Sequence, residues 1–294
     1  MFFLIYMLVY KYEIILIKLN YIYIMKNKVA VITGGSSGIG EALAYKFSEE
    51  NFDVVIGGTN RERIKSVISN IKEKGGRGEG ISHDVSSSDD VKKMVDLAIN
   101  KFGGIDVLIC NAGISIRSLF QDVDIKSFEK LFGINFLGSV YSVKHSLPHI
   151  IKSSGSIIAI SSLNGFIATP TRTAYVSSKH AIQGFFDSLR LELKRKNVHV
   201  MVASPGYVHS NFRKNTLKSD GKKEGKTSRD NAKMMSPEEV AEKVFRGYVT
   251  KKRDLIFTLR GKLAHLIKNW FPKVADRLAY NEILNERESL LKNY

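Results

Sequence analysis

Residues 29–50 read VAVITGGSSGIGEALAYKFSEE, and the reading of this stretch decides the fold. Val29-Ala30-Val31-Ile32 is a short apolar run bounded by turn residues, which predicts a buried strand. Thr33-Gly34-Gly35-Ser36-Ser37-Gly38-Ile39-Gly40 is a turn in which glycine lets backbone segments approach closely, and EALAYKFSEE is helical. Strand, glycine turn and helix in that order put a helix N-terminus, with free amides and a positive dipole end, where a pyrophosphate can sit. Glycine turns are common; the flanking strand and helix give this one its nucleotide reading.

The rhythm continues along the chain. Asp53-Val54-Val55-Ile56 predicts a second strand, followed by a polar helix over about 60–74. A third strand ends near His83-Asp84-Val85, and SSSDDVKKMVDLAINKF supplies its crossover helix. Asp106-Val107-Leu108-Ile109-Cys110 is a fourth strand, and a long helix is expected over 125–149. Strands at 157–160 and 198–203 flank the helix that carries Tyr175. Alternating helices with near-continuous apolar strands predict an α/β fold, a doubly wound parallel sheet covered on both faces, which binds ligands at the carboxyl ends of its strands.

Residues 25–260 thus read as a single domain, with an amphipathic helical tail at 261–294 broken at Pro272. Within the domain, 211–235 is polar and basic without periodicity and reads as a mobile surface loop. Ser236-Pro237-Glu238-Glu239 then starts a helix, with Ser as N-cap and Pro at the first helical position. A last strand is expected at 254–258. Residues 1–24 have another composition, with no Gly, Ala, Pro, Ser or Thr. Their uninterrupted apolar run, 1–10, is half the ~20 residues a spanning helix needs. Three readings stay open: translated upstream sequence with Met25 as the natural start, a marginal membrane anchor, or a packed extra element.

Of 294 residues, 44% are hydrophobic and 25% charged, an ordinary globular composition. The single cysteine, Cys110, excludes an internal disulfide framework and lies in an apolar run, where it reads as core. His145 and His149 share a helix face without a third ligand at metal spacing, so no metal is expected. The net charge of +16 raises the question of nucleic acid. Residues 213–294 hold 20 Lys and Arg against 11 Asp and Glu, yet show neither zinc-finger spacing nor a basic helix interleaved with stacking aromatics. The excess is read as a solvated surface, or one facing anionic lipid or an anionic substrate, and no nucleic-acid partner is expected.

A second stretch, 162–179, reads SLNGFIATPTRTAYVSSK. Tyr175 and Lys179 lie one helical turn apart, and Ser162 ends the apolar strand before them. A phenol beside an ammonium, with a hydroxyl brought to the same place, can give a proton to a carbonyl oxygen. A free phenol has a pKa of about 10, too high for exchange near neutrality, and a neighbouring cation lowers it. Tyr175 then acts as acid or base, and Ser162 donates to the substrate oxygen as charge develops there. At the end of the second strand, Gly57-Gly58-Thr59-Asn60 offers no carboxylate for a ribose 2′-hydroxyl, while Arg61 and Arg63 follow. NADP(H) is therefore expected in preference to NAD(H), with Thr59, Asn60 and Arg61 among its contacts; the plain alternative is that both arginines are merely solvated.

TGGSSGIG, Asp84-Val85, Asn111-Ala112-Gly113, Asn135, Ser162, Tyr175-x-x-x-Lys179 and Pro205-Gly206 occur in order, and together they resemble the short-chain dehydrogenase/reductase family over about 27–250. The loop after Pro205-Gly206, with Ser219-Asp220-Gly221 and Arg229-Asp230, and the basic tail carry a narrower likeness within it. The resemblance implies a Rossmann fold with a cofactor held by Gly34, Ser36, Ser37, Gly38, Ile39 and Gly40. It places the adenine at Asp84 and Val85, and the central strand ends at Asn111, Ala112 and Gly113. Pro205, Gly206, Val208 and Ser210 would meet the nicotinamide, with Ser210 where threonine is usual. Thr59 departs from the arginine common in NADP-dependent members. Asn135, Ser162, Tyr175 and Lys179 would form the catalytic set, Lys179 also holding the ribose and Asn135 a water on the proton path. Dimers or tetramers through helices 125–149 and 173–196 are implied.

The expected function is an NADP(H)-dependent carbonyl reductase or alcohol dehydrogenase acting on a small, hydrophobic carbonyl or alcohol. Ser162, Leu163, Tyr175 and Tyr207 are the expected substrate contacts, in a pocket with Ile114, Ile116, Phe166, Ile167 and Pro170. The 211–235 loop is expected to fold over it. Alternatives are a 3-oxoacyl-acyl-carrier-protein reductase, a non-catalytic nucleotide-binding regulator, and a membrane-anchored interaction protein. The location expected is cytoplasmic, with peripheral membrane contact through 1–24 or the basic tail as an open reading. That tail would set Leu263, Leu266, Ile267, Trp270 and Phe271 on an apolar side with Lys262, Lys268 and Lys273 around it; the equal alternative is that these residues cover the substrate pocket or a subunit interface.

Overall fold

Seven parallel strands form one sheet in the computed structural model, which describes residues 27–209, 216–222, 234–286 and 289–293. The strands are β1 (Lys28–Thr33), β2 (Phe52–Gly58), β3 (Gly78–Ser82), β4 (Val107–Cys110), β5 (Ser156–Ile160), β6 (His199–Ser204) and β7 (Asp254–Ile256), in the spatial order β3-β2-β1-β4-β5-β6-β7. The strand order therefore reverses beside β1 and β4, which opens a crevice at their carboxyl ends.

Alternate side chains leave a strand on opposite faces, and here both faces are covered. Ile32 and Ile56 point to the side of α1 (Gly38–Glu49), α2 (Arg61–Glu73) and α7 (Pro237–Val249), where Leu43, Phe47, Ile71, Val240 and Val244 are buried. Val31, Val55 and Ile157 point to α3 (Ser88–Phe102), α5 (Gly138–Lys152) and α6 (Thr173–Glu192), where Met94, Val143, Ile182 and Phe186 are buried. This double coverage is why the strands read as continuous apolar runs. Each such side chain contributes about 1.5–3 kcal/mol of burial.

Several elements differ from the sequence reading. The helix expected over 125–149 is α4 (Ile125–Phe132) and α5 joined by one π-helical turn, Gly133–Leu137. That turn holds Asn135 and interrupts the regular α ladder. The third strand stops at Ser82, before His83. The last strand stops at Ile256, because Thr258 accepts from the Gly261 amide and caps α8 (Leu259–Trp270). Pro272 opens α9 (Pro272–Leu284) at its first position, where its missing N–H costs nothing.

Residues 1–24 and most of 211–235 lie outside the described residues. The described part of the loop is seated against the protein. Leu217 bridges to Ile116, its carbonyl accepts from the Arg117 amide at 2.9 Å, and Thr216 is buried. Leu217 and Ser219 of the expected surface loop are thus hydrogen-bonded to the chain after β4, while Lys218, Asp220 and Lys222 are exposed.

Candidate active site

The glycine turn follows from sterics. Gly34 has φ +64°, and a Cβ there would lie 2.9 Å from the Ala112 Cα. A Cβ on Gly40 would lie 2.1 Å from the Gly34 carbonyl oxygen. Gly38 also has positive φ. The turn is braced from β4: Asn111 Nδ2 donates to the carbonyls of Thr33 and Gly34 at 3.0 and 3.2 Å, while Thr33 Oγ1 accepts from the amides of Asn111 and Ala112. The Asn111 side chain is thus committed to holding the turn.

Ser37 is the N-cap of α1 yet makes no side-chain cap bond, which keeps the first-turn amides and its own hydroxyl available. Ser36 and Ser37 border a cavity of about 230 Å³, completed by Glu41, Arg63, Ser66 and Val67. A narrow backbone cradle, an uncapped helix N-terminus and an adjoining polar hollow with Arg63 on its wall fit a dinucleotide phosphate group. Ile39 is packed against the core beneath. Thr59, Asn60 and Arg61 are exposed beyond β2, and Asn60 caps α2 by accepting from the Arg63 amide at 2.9 Å.

The predicted adenine pair is divided. Asp84 is exposed and its carboxylate accepts from the amide and hydroxyl of Ser86; Val85 is buried against Gly138. Val208 is also buried, packed in the core and bridged to Met235. Ser210 lies outside the described residues. Pro205 is buried, and its carbonyl accepts from the Leu163 amide, while Gly206 faces the Leu163 side chain.

At the carboxyl end of β5, Ser162 caps a short 3-10 turn and its hydroxyl hydrogen-bonds the Tyr175 oxygen. Burial raises the Tyr175 pKa above its ordinary value, and the Ser162 hydrogen bond and the Arg172 charge act against that rise. Lys179 is 5% exposed; its Nζ donates to the Ile160 carbonyl at 2.9 Å and lies 5.8 Å from the Tyr175 ring centre. Desolvation brings Lys179 down to about 8. Lys179 Nζ thus lies over the Tyr175 ring while donating to a backbone carbonyl, and the Ser162 hydrogen bond and the Arg172 charge also favour the Tyr175 phenolate.

Asn135 is fully buried in the π turn. Its Oδ1 accepts from the Ile114 amide at 2.8 Å, and its Nδ2 donates to the Ile114 carbonyl and to Ser178 Oγ, both at 3.0 Å. A Cβ on Gly113 would sit 3.3 Å from Asn135 Oδ1 and 3.8 Å from Lys179 Nζ, so the three positions converge and Gly113 keeps the space open. Ser178 passes the connection on by donating to the Tyr175 carbonyl at 2.8 Å.

Three side chains here escaped the sequence reading. Arg172 stands three residues before Tyr175 and donates to Ser115 Oγ at 3.1 Å; its i−3 spacing was the available signal. Ser178 and Gln183, the latter donating to Ser161 and Ser204, left none.

The surroundings of Tyr175 are apolar, and the tail reaches the nearby Leu163, Phe166, Tyr207 and Arg117. Ile116, Leu131 and Ala174 form a buried cluster on which Ile114, Leu217 and the Tyr175 ring pack. Leu163 meets Gly261 of α8, and Phe166 lies edge-on to His265, with ring centres 4.4 Å apart. Tyr207 donates to Glu282 Oε1 at 3.3 Å. Arg117 and Glu286 form an ion pair at 3.3 Å, with both side chains less than a tenth exposed.

The short chain dehydrogenase family pattern matches residues 28–221. The chain is 34% identical over 274 residues to mouse dehydrogenase/reductase SDR family member 7B, covering 90% of this chain and 84% of that protein. It is 33% identical to a Drosophila melanogaster dehydrogenase/reductase SDR family protein 7-like, over 92% and 83% of the two chains. Among solved structures, a short chain dehydrogenase/reductase from Burkholderia phymatum in complex with NAD superposes with TM-score 0.76 at 19% identity, covering 85% of this chain and 96% of that one. An alcohol dehydrogenase from Thermococcus sibiricus complexed with 5-hydroxy-NADP gives 0.68 at 25% identity, over 78% and 94%.

Proposed function

The chain belongs to the short-chain dehydrogenase/reductase family and is a nicotinamide-dependent oxidoreductase, and on that premise we propose that it interconverts a hydrophobic carbonyl compound and its secondary alcohol with NADP(H). The observation that carries this reading is the Ser162–Tyr175 hydrogen bond at the β5 carboxyl end, over a buried Lys179 and beside an apolar wall.

The bound nicotinamide supplies or takes up the hydride at the carbon atom. Tyr175 gives its hydroxyl proton to the carbonyl oxygen in reduction and takes it back in oxidation. Ser162, already within hydrogen-bond reach of that hydroxyl, donates to the same oxygen as it gains charge. Arg172 favours the phenolate left behind. Lys179, with a pKa of about 8, exchanges protons near neutrality, and Asn135 and Ser178 fix the helix turn from which it extends. Asn111 acts by positioning, since its amide holds the phosphate-side turn.

The NADP(H) preference is supported by the lack of a carboxylate after β2 and by Arg63 on the cavity beside Ser36 and Ser37. Glu41 lines the same cavity, but its carboxylate accepts from the Tyr45 hydroxyl. The apolar cluster at Tyr175 and the α8 contacts to Leu163 and Phe166 favour a hydrophobic substrate. Association into a homodimer or homotetramer through 125–149 and 173–196 belongs to the same proposal.

The test is a panel of apolar and polar ketones and alcohols, with NADPH, NADH and their oxidised forms, followed at the nicotinamide absorbance. Turnover of apolar ketones with NADPH is expected, with NADH slower at equal concentration. Faster turnover with NADH would overturn the cofactor preference, and turnover confined to polar carbonyls would overturn the substrate class.

A further inference from the structure

The inner side of the C-terminal helix pair is accounted for by Leu163, Phe166, Tyr207 and Arg117. Its outer side is not. Along α8, Leu259, Leu263, Leu266 and Trp270 recur at helical spacing and stand in one line. All four are at least half exposed, and Leu259 and Trp270 are 73% exposed. Across the turn the line continues through Phe271, 63% exposed, to Val274 and Leu278 on α9. A contiguous apolar face of this kind, rimmed by polar groups, marks an interaction surface.

The charge around the face identifies what covers it. Residues 259–278 contain five Lys and Arg and one acid, Asp276. Lys268 reaches Asp276 at 3.7 Å, and Arg260 reaches Glu282 at 3.2 Å. Lys262, Lys273 and Arg277 are exposed and form no ion pair among the described residues. A second copy meeting this face about a two-fold axis would set these cations against their own images. An anionic lipid surface instead pairs them with headgroup phosphates and takes the apolar line below them. Tryptophan and phenylalanine at the turn, flanked by lysine, suit the boundary between headgroups and acyl chains. No helix among the described residues is long and apolar enough to cross a membrane.

We propose that the outer face of α8 and α9 docks on an anionic lipid bilayer, with Trp270 and Phe271 at the acyl boundary and Lys262, Lys273 and Arg277 at the headgroups. The inner side of α8 then holds Leu163 and Phe166, so the side proposed for the substrate faces the membrane. The docking does not depend on the redox reading, and its test needs no turnover.

Trp270 is the only tryptophan in the chain, so its emission reports this surface and no other. The full chain is titrated with vesicles of phosphatidylcholine containing phosphatidylserine. The expected result is a saturable blue shift, quenching by brominated acyl chains, and weakening by salt or by omission of phosphatidylserine. Lys262→Gln and Lys273→Gln should each weaken binding roughly fivefold, about 1 kcal/mol per charge at the surface. Three results would overturn the proposal. One is no binding. Another is sedimentation with vesicles while Trp270 stays unquenched, which puts the attachment elsewhere, residues 1–24 included. The third is emission already blue-shifted without lipid and dependent on protein concentration, which makes a second copy the occupant.

Discussion

A methyl group on Gly40 would come within 2.1 Å of the Gly34 carbonyl oxygen, six residues away, whereas Arg117 meets Glu286 across 169 residues of chain. The glycine turn, where the proposal puts the nucleotide, is set by backbone sterics within one short stretch, and the side proposed for the substrate by side chains from segments far apart in the chain. Steric requirements of the first kind demand glycine at fixed spacing. Pairings of the second kind demand only that some cation and some carboxylate arrive at the same place. The two sides should therefore fail differently, and Tyr175, which lies between Ser162 and the apolar cluster, should respond independently of both.

The largest effect is expected there. Tyr175→Phe keeps the ring packing and removes the proton, so turnover should fall by roughly 10²–10⁴. NADPH affinity, measured by fluorescence titration, should not change. Loss of cofactor affinity on the same scale would abolish the separation between chemistry and nucleotide binding. The accompanying pH dependence follows from Lys179, which loses its proton as pH rises through about 8. Reduction draws its proton through Tyr175 and from protonated Lys179, so its rate should decline above that pH, while oxidation, which needs a proton acceptor, rises as Lys179 becomes neutral. Rates that move together in both directions would remove Lys179 from the proton path. Because burial depresses the Lys179 pKa, it costs stability below about 8. That cost vanishes as pH rises past the free-lysine value of about 10.4.

Next in size is the tail closure. Glu286→Gln leaves the buried Arg117 without this carboxylate, and breaking such a pair costs about 3 kcal/mol or more. Thermal denaturation should show a lower midpoint, and KM for the carbonyl substrate should rise with cofactor affinity unchanged. An unaltered midpoint would mean that the tail contributes nothing to closing the site.

Gly40→Ala should produce the opposite pattern. The added Cβ meets backbone rather than a yielding side chain, so NADPH affinity should drop by more than about tenfold, 1.4 kcal/mol. The far-ultraviolet circular dichroism should remain that of the folded sheet. Retained affinity would show that the turn can open, and the contrast between the two sides would be weaker than drawn.

This contrast also separates what was legible in the sequence. The strand runs, the glycine turn and the Tyr175–Lys179 spacing depend on the periods of helix and strand and on local sterics, and each is written in consecutive residues. Asn135 was marked by the family likeness, but the π turn that buries its amide against Ile114 and Ser178 was not. A single extra residue in a helical turn leaves the apolar pattern almost unchanged.

By itself, then, the sequence determined a doubly wound parallel sheet, the family, the glycine turn after the first strand and the one-turn spacing of Tyr175 and Lys179. The tertiary structure alone decided that Lys179 is turned to the Ile160 carbonyl, that Arg172 stands by Tyr175, that Asn111 braces the turn, and that α8 packs on Leu163 and Phe166. The division has a physical cause. Backbone periodicity acts over a few residues and marks every one of them, while buried polar contacts form between segments that only the folded chain brings together.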